Sequence, residues 1–364
     1  MSKTLTVNSR ELVAELAWMA RVGHRQSLAA LNAVHVSALV GALQLRRTDF
    51  EIFAESTLYA DGGGQASILL DPTKLTGVLK GERGPVGIDI GEDALTVRVG
   101  GRTITLRSAA SLDDYPAWTT FVRDKTGAAL LSPGEIARAL TSVSDDDLFP
   151  NLTAVRFEDR VMVSTDRFKL SRINYTGAGL PMTALVPAAA LRAFTRGDEL
   201  VTVDRGKLGE DGVEGGLVHI FSGQRSIIAR LLDAEESFPK WRLLVPEAET
   251  ATVRVVIRRD ELLGAIGADD HHITLTITGD GIGVIDADPD GDVEVQQQVS
   301  LISYQRGDGL PFTVRVAAKN LKACLRGVAA GVVHLEATAP SKPVVLRALN
   351  DKELHLIMPI RIPA

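Results

Sequence analysis

Ser132-Pro133-Gly134-Glu135-Ile136-Ala137-Arg138-Ala139-Leu140 repeats an earlier stretch, Asn8-Ser9-Arg10-Glu11-Leu12-Val13-Ala14-Glu15-Leu16, and is echoed by Arg259-Asp260-Glu261-Leu262-Leu263-Gly264-Ala265-Ile266. The glutamates Glu11, Glu135 and Glu261 stand 124 and 126 residues apart. In a chain of 364 residues, that spacing predicts three similar units, each large enough to bury its own core. Asn8 and Ser132 precede their glutamates by three positions, the capping-box spacing that satisfies free amides at a helix start.

A second pattern lies inside each unit: 71–81 beginning Asp71-Pro72, 187–197 around Leu191, and 317–327 around Leu321. Each copy ends on a basic residue and a glycine, at Lys80-Gly81, Arg196-Gly197 and Arg326-Gly327. This is helix-stop chemistry, with a cation at the negative end of the dipole and a glycine able to turn left-handed. Asp114-Tyr115-Pro116-Ala117-Trp118 and Ser237-Phe238-Pro239-Lys240-Trp241 close the first two units. Between the helices run short β-branched stretches such as Ala94–Val99, Thr103–Leu106, Val161–Ser164, Leu217–Ile220 and Ile273–Ile277, separated by glycine-rich turns. The predicted class is α+β, with three repeated domains of two helices each on β-sheet. Low apolar periodicity at 119–131 and 245–252 sets the domains at 1–121, 127–246 and 251–364.

Composition narrows the function. No segment approaches the roughly 18 apolar residues of a membrane span, and the N-terminus lacks a secretory pattern, so a soluble cytoplasmic protein is expected. The single Cys324 excludes an internal disulfide framework or a cysteine metal cage. The net charge of −6 argues against a nucleic-acid partner unless the cations are gathered in one place. They are gathered: the three second-helix windows hold Lys74, Lys80, Arg192, Arg196, Lys319, Lys322 and Arg326 against Asp71 alone. That local balance of +6 leaves −12 for the rest of the chain. Helical spacing puts Leu321, Cys324 and Leu325 on one face and Lys319, Lys322 and Arg326 on another, with Leu191 and Phe194 set likewise against Arg192 and Arg196. Long cationic side chains without an amide or aromatic cluster suit contact with a phosphate backbone and not base readout.

Three such domains resemble the bacterial DNA polymerase III beta subunit, the sliding clamp family, and the resemblance runs nearly end to end. Its most specific pieces are Thr165-Asp166-Arg167-Phe168-Lys169-Leu170, similar to the family's Thr-Asp-Gly-His-Arg-Leu, then Ser237-Phe238-Pro239-Lys240-Trp241-Arg242 and the closing Met358-Pro359-Ile360-Arg361-Ile362. The resemblance implies a ring-forming, head-to-tail homodimer around double-stranded DNA, with the seven cations and Arg25 facing the phosphates. It further implies a pocket for short linear motifs of DNA polymerase and clamp-loader subunits. That pocket would be lined by Leu152, Thr165, Arg167, Phe168, Leu170, Pro239, Leu244, Pro343, Met358, Pro359, Ile360 and Arg361. The resemblance places the dimer interface around Ile104 and Leu106. Two departures stand out: Arg167 replaces the family's glycine, and the short interval from Glu261 to Ile273 shortens the first helix of the third domain.

No phosphate loop, His-Glu-x-x-His pair or Gly-x-Ser-x-Gly elbow occurs, so neither enzyme nor cofactor is expected. His271-His272 would point to opposite faces of a strand, which disfavours a shared metal. Asp286 to Glu294 matches the first half of a calcium loop but has Gln297 where a bidentate glutamate is needed, so an acidic turn is expected. The competing expectation is a triplicated interaction scaffold that does not encircle DNA.

Overall fold

The computed structural model describes residues 4–22, 27–118, 120–175, 177, 180, 183–209, 216–232, 238–287, 294–306, 310–350 and 352–360. Among these residues the α-helices are α1 (Ser9–Met19), α2 (Ala29–Asn32), α3 (Pro72–Leu79), α4 (Pro133–Ala139), α5 (Ala188–Arg192), α6 (Arg259–Gly264) and α7 (Ala318–Gly327). The chain forms two compact units, 1–133 with 189–231, and 134–188 with 232–364. The ladders described in both are antiparallel.

In the first unit a five-stranded sheet runs in the order Asp61–Gly62, Thr4–Asn8, Pro85–Ile90, Ala94–Val99, Arg102–Arg107. An eight-stranded sheet joins Phe121–Leu131, Val201–Leu208, Leu217–Ser222 and Arg225–Arg230 to Ile52–Tyr59, Ala42–Thr48, Val34–Leu39 and Ala66–Leu70. The stretch 121–131, whose composition suggests a junction, is thus a strand; a bulge between Arg123 and Ala128 breaks its register. α1 begins where Asn8 Oδ1 accepts the Arg10 amide at 2.9 Å, and it buries Leu12, Leu16, Trp18 and Met19. α3 begins where Asp71 Oδ1 accepts the Thr73 amide at 2.9 Å and ends at Leu79; Gly81, with φ +85°, sits in the turn after it, closed by the Glu82 amide on the Leu79 carbonyl at 3.1 Å.

The second unit holds a nine-stranded sheet ordered Ala184–Pro187, Ala154–Glu158, Val161–Thr165, Lys169–Asn174, Glu353–Ile357, Val344–Ala348, Val332–Ala337, Val253–Arg258, Leu301–Arg306. A four-stranded sheet runs Glu294–Val299, Gly281–Ala287, His272–Thr278, Phe312–Ala317. α7 seals this core with Leu321, Cys324 and Leu325 fully buried. Gly327 is no left-handed stop: it closes the helix with ordinary backbone and is needed for space. A Cβ there would lie 2.6 Å from His355 Cε1 and 2.9 Å from Thr141 Oγ1. His355 is wholly buried; burial pulls its imidazole down to about 4, so the ring is neutral, and Nδ1 pairs with Ser171 Oγ at 2.8 Å. α6 spans six residues against eleven in α1, the shortening the sequence predicts.

One joint occurs in both units. The fourth strand of the first repeat, Ile52–Tyr59, pairs with the last strand of the second, Arg225–Arg230, in the register Arg225↔Ser56 to Ala229↔Ile52. The fourth strand of the second repeat, Lys169–Asn174, pairs with the last strand of the third, Glu353–Ile357, in the register Lys169↔Ile357 to Ile173↔Glu353. An ion pair guards each. Arg225 grips the buried Glu15 of α1 with Nη2 at 2.8 Å and Nε at 2.9 Å, while Ser56 Oγ donates to the same carboxylate at 2.8 Å. Arg138 of α4 meets Glu353 at 2.6 Å. Truncating one member of such a pair strands the other charge. Glu15→Ala should lower stability by about 2–3 kcal/mol in urea unfolding, whereas a solvated pair would cost under about 1 kcal/mol.

Candidate functional site

The basic residues of the three second-helix windows fall at α3, at α5 and the turn that follows it, and at α7. Lys74 and Lys80 are exposed on α3 above buried Leu75 and Leu79. α5 stops at Arg192, short of the predicted end. The chain then turns, the Phe194 amide donating to the Leu191 carbonyl at 2.9 Å. The cause is Trp18, whose indole N–H donates to the Ala193 carbonyl at 3.0 Å and whose ring meets Phe194 edge-on at 5.8 Å. That anchor takes the carbonyl a longer helix would use and leaves Arg192 and Arg196 exposed.

Sequence reasoning missed Arg21, exposed just after α1. Partial burial lowers the affinity of its guanidinium for its proton, and the positive charges of Arg196 and Arg225 lower it further. Arg196 and Arg225, the latter paired with Glu15, line a cavity of about 520 Å³. The only sequence signal was helical: Arg21 follows Trp18 by three residues.

In the second unit Lys319 and Arg326 are exposed, but Lys322 is engaged. Its ammonium pairs with Asp269 Oδ1 at 2.8 Å and donates to the Gly267 carbonyl; the contact with Lys322 holds the Asp269 carboxyl below the usual range. Arg25 lies outside the described residues.

A second constellation is apolar. Thr165, Arg167, Lys169, Leu170, Pro239, Leu244, Leu356 and Met358 line a cavity of about 150 Å³. Leu244 and Met358 also face a neighbouring cavity of about 400 Å³, with Pro343, Leu243, Val245 and Pro246. Of the pocket residues expected from the sequence, Leu152 is buried in the turn Pro150–Leu152 and lines neither cavity. Phe168 is exposed beside the mouth, its carbonyl accepting the Met358 amide at 2.8 Å. Pro359 and Ile360 are half-buried, the Ile360 amide donating to the Arg315 carbonyl at 2.7 Å. Arg361 and Ser237 lie outside the described residues. Lys169 and Leu356 were missed; they enter because strand pairing sets Leu170 opposite Leu356 and Lys169 opposite Ile357.

The loop at the mouth is tightly wired. Asp166 Oδ1 accepts the amides of Phe168 at 2.9 Å and Lys169 at 2.8 Å, and its other oxygen takes the Lys169 ammonium. Thr165 Oγ1 accepts the Arg167 amide at 3.1 Å and donates to the Lys169 carbonyl at 2.8 Å. Arg167, at the family's glycine position, keeps the backbone a glycine would adopt, with φ +78°. Its guanidinium lies 4.0 Å from the centroid of Phe149.

Ile104 and Leu106 are half-buried on Arg102–Arg107, the edge strand of the five-stranded sheet. His271 Nδ1 pairs with Asp286 Oδ1 at 2.6 Å while His272 Nδ1 faces Arg315 Nη2 at 3.2 Å, so the adjacent histidines serve different partners. Residues 288–293 of the acidic turn lie outside the described residues.

Residues 3–119 match the sequence model of a family described as DNA polymerase III beta subunit, N-terminal domain. The beta sliding clamp of Micrococcus luteus is 26% identical over 262 residues, covering 67% of this chain and 80% of that one. The beta subunit from Streptococcus pyogenes superposes with a TM-score of 0.81 at 17% identity, over 99% of this chain and 100% of that one. A sliding clamp from Bartonella birtlesii, bound to griselimycin, gives 0.80 at 16% identity, over 100% of both chains. The chain is similar to DNA sliding clamps in the sequence of its N-terminal third and in its fold from end to end. Its clamp fold extends through all three repeats, and the family's glycine position carries Arg167.

The Asp166 turn gives a test of how firmly the pocket mouth is held. Asp166→Ala removes the acceptor of two amides and should cost about 1–2 kcal/mol. Amide exchange at Phe168 and Lys169 should then quicken at least about fivefold; unchanged exchange would show that the turn does not rest on this carboxylate.

Proposed function

We propose that this chain is a non-catalytic processivity clamp of the cytoplasm. It closes head to tail with a second copy around duplex DNA and holds polymerase and clamp-loader subunits by short linear motifs in the Leu170–Met358 pocket. The repeats at 1–121, 127–246 and 251–364 are its domains.

The strand joint carries this reading. Within the chain the fourth strand of each repeat docks on the last strand of the next, twice. Two such strands remain without that partner among the described residues: Glu294–Val299, the fourth of the third repeat, and Arg102–Arg107, the last of the first. A second copy would supply what each lacks. Open edges of this kind invite pairing. The residues suit it: Ile104 and Leu106 alternate with exposed Thr103 and Thr105, and Val295 is exposed on the other edge. Such continuation carries the same joint into a closed ring.

The exposed cations support DNA as the occupant. Lys74, Lys80, Arg192, Arg196, Lys319 and Arg326 are all exposed at the basic helices of a chain whose net charge is −6, and Arg21 joins them. A scaffold that encircles nothing is not favoured, because it gives these cations no purpose. The family resemblance supports the peptide pocket, and an apolar groove with a methionine suits varied motifs.

The native mass should be twice that of the 38.9 kDa chain, and Ile104→Lys with Leu106→Lys should return it to the single-chain value. A monomeric native protein would refute the joint. Loaded protein should stay on closed circular DNA and escape once the circle is cut; equal escape from both refutes encirclement. Replacing Arg192, Arg196, Lys319 and Arg326 by alanine should abolish stimulation of polymerase processivity. The same variant should flatten the salt dependence of DNA binding by about 0.9 for each phosphate it no longer neutralises.

A further inference from the structure

The clamp fold leaves Arg167 without a role. A residue with a Cβ in the left-handed region costs about 1–2 kcal/mol relative to ordinary backbone, and backbone strain of this kind is retained where the surroundings impose it. Here the surroundings are the Thr165 hydroxyl on the Arg167 amide, the Asp166 carboxylate on the next two amides, and the Phe149 ring beneath the guanidinium. The backbone therefore aims this side chain at one place, the mouth of the apolar cavity it helps to line.

The charge it brings is uncommitted. Asp166, its neighbour in sequence, is taken up by the Lys169 ammonium and two amides. Asp146, in the loop that carries Phe149, accepts the Leu148 amide at 3.0 Å. Among the described residues no carboxylate forms an ion pair with Arg167. Stacking on an aromatic face occupies the flat side of a guanidinium and leaves its in-plane N–H groups to donate, the geometry that receives a carboxylate on two bonds. Behind this cation the cavity walls are Leu170, Pro239, Leu244, Leu356 and Met358.

We propose that Arg167 determines which peptides this pocket accepts, selecting segments that carry a carboxylate beside the apolar side chain they bury. The proposal rests on the pocket reading above and adds the chemistry of the occupant. An apolar side chain enters the cavity of about 150 Å³, and an aspartate or glutamate next to it meets the stacked guanidinium. Lys169 does not share this role, since its ammonium is spent on Asp166.

The experiment uses the full-length protein and labelled eight-residue peptides with a central pair of leucines. One aspartate is placed at each flanking position in turn, and each peptide has an asparagine twin. Fluorescence anisotropy should show one flanking position at which the aspartate form binds about fivefold more tightly than its twin, the gain of a charge-assisted contact at a partly exposed site. Arg167→Gln should bring the two forms to parity by weakening the aspartate peptide alone, and Arg167→Lys should keep part of the preference. Parity at every position in the unsubstituted protein overturns the proposal and leaves the pocket standing. So does a preference that survives Arg167→Gln. Failure of every peptide to bind overturns the pocket reading and this proposal together.

Discussion

A β-sheet whose last strand is unpaired leaves a row of backbone donors and acceptors to be satisfied from elsewhere, and this chain meets the demand by handing the edge of one repeat to the next. Both internal joints use corresponding strands, and the eight- and nine-stranded sheets exist because of it. Hydrogen bonding alone would not fix how the strands meet, since a slip of one residue keeps most bonds while turning every side chain to the other face. The ion pairs supply what the backbone cannot. Arg225 and Glu353 are each the first residue of a last strand, and each reaches the first helix of the preceding repeat, at Glu15 and at Arg138. The signs are exchanged between the joints while the geometry is kept. Buried pairs of this kind add little net stability over well-packed apolar residues, so fixing the register is the plainer account of their use.

The same anchoring sets the cationic surface of the first unit. Arg225 neutralises Glu15 and its guanidinium lies 5.6 Å from the centroid of Trp18, which in turn holds Ala193 and Phe194. Arg196 and Arg21 therefore emerge from a fixed base, with Glu15 already engaged. In the second unit Asp269 does the opposite and takes Lys322 away from the solvent. The number of cations on a basic helix thus overstates the charge it can offer to a phosphate backbone by the number of acids folded against it.

What can be read from sequence is what local physics decides. Asn8 and Asp71 cap their helices because capping needs only neighbours within a turn. The repeat points to three similar units, and amphipathic spacing picks out the buried Leu321–Leu325 face. What escapes such reading depends on residues far apart in the chain. The early end of α5 is set by Trp18, 175 residues before Ala193; Glu15 and Arg225 are 210 apart; Lys322 and Asp269 are 53 apart. The left-handed stop expected at Gly327 fails for the same reason, its role being set by His355 and Thr141 and not by its own helix. The pocket came from resemblance and not from pattern: Thr165, Leu170, Pro239 and Met358 gather only because two sheet edges meet, and no periodicity marks them. Arg167 is visible in the sequence as a departure, but its left-handed backbone and its stacking on Phe149 are not.

The shortened α6 bears on how a joint between two copies would differ from those inside one chain. In the proposed joint with a second copy, the first residue of the last strand is Arg102, and the helix that would answer it is α6. Glu15 lies four residues after Glu11, and Arg138 three after Glu135; the corresponding places after Glu261 are Gly264 and Ala265. Neither carries charge, and α6 ends at Gly264. Arg102, for its part, pairs with Glu82 in its own unit. The joint between copies would therefore have the strand pairing of the internal joints without their ion-pair lock. The internal joints are covalently held in one chain and must not slip, whereas under the proposed function a joint between chains would have to part and re-form to admit DNA. A pair whose separation strands a buried charge would oppose parting, so under the proposed function a joint between copies without such a pair would open more readily than the joints inside the chain.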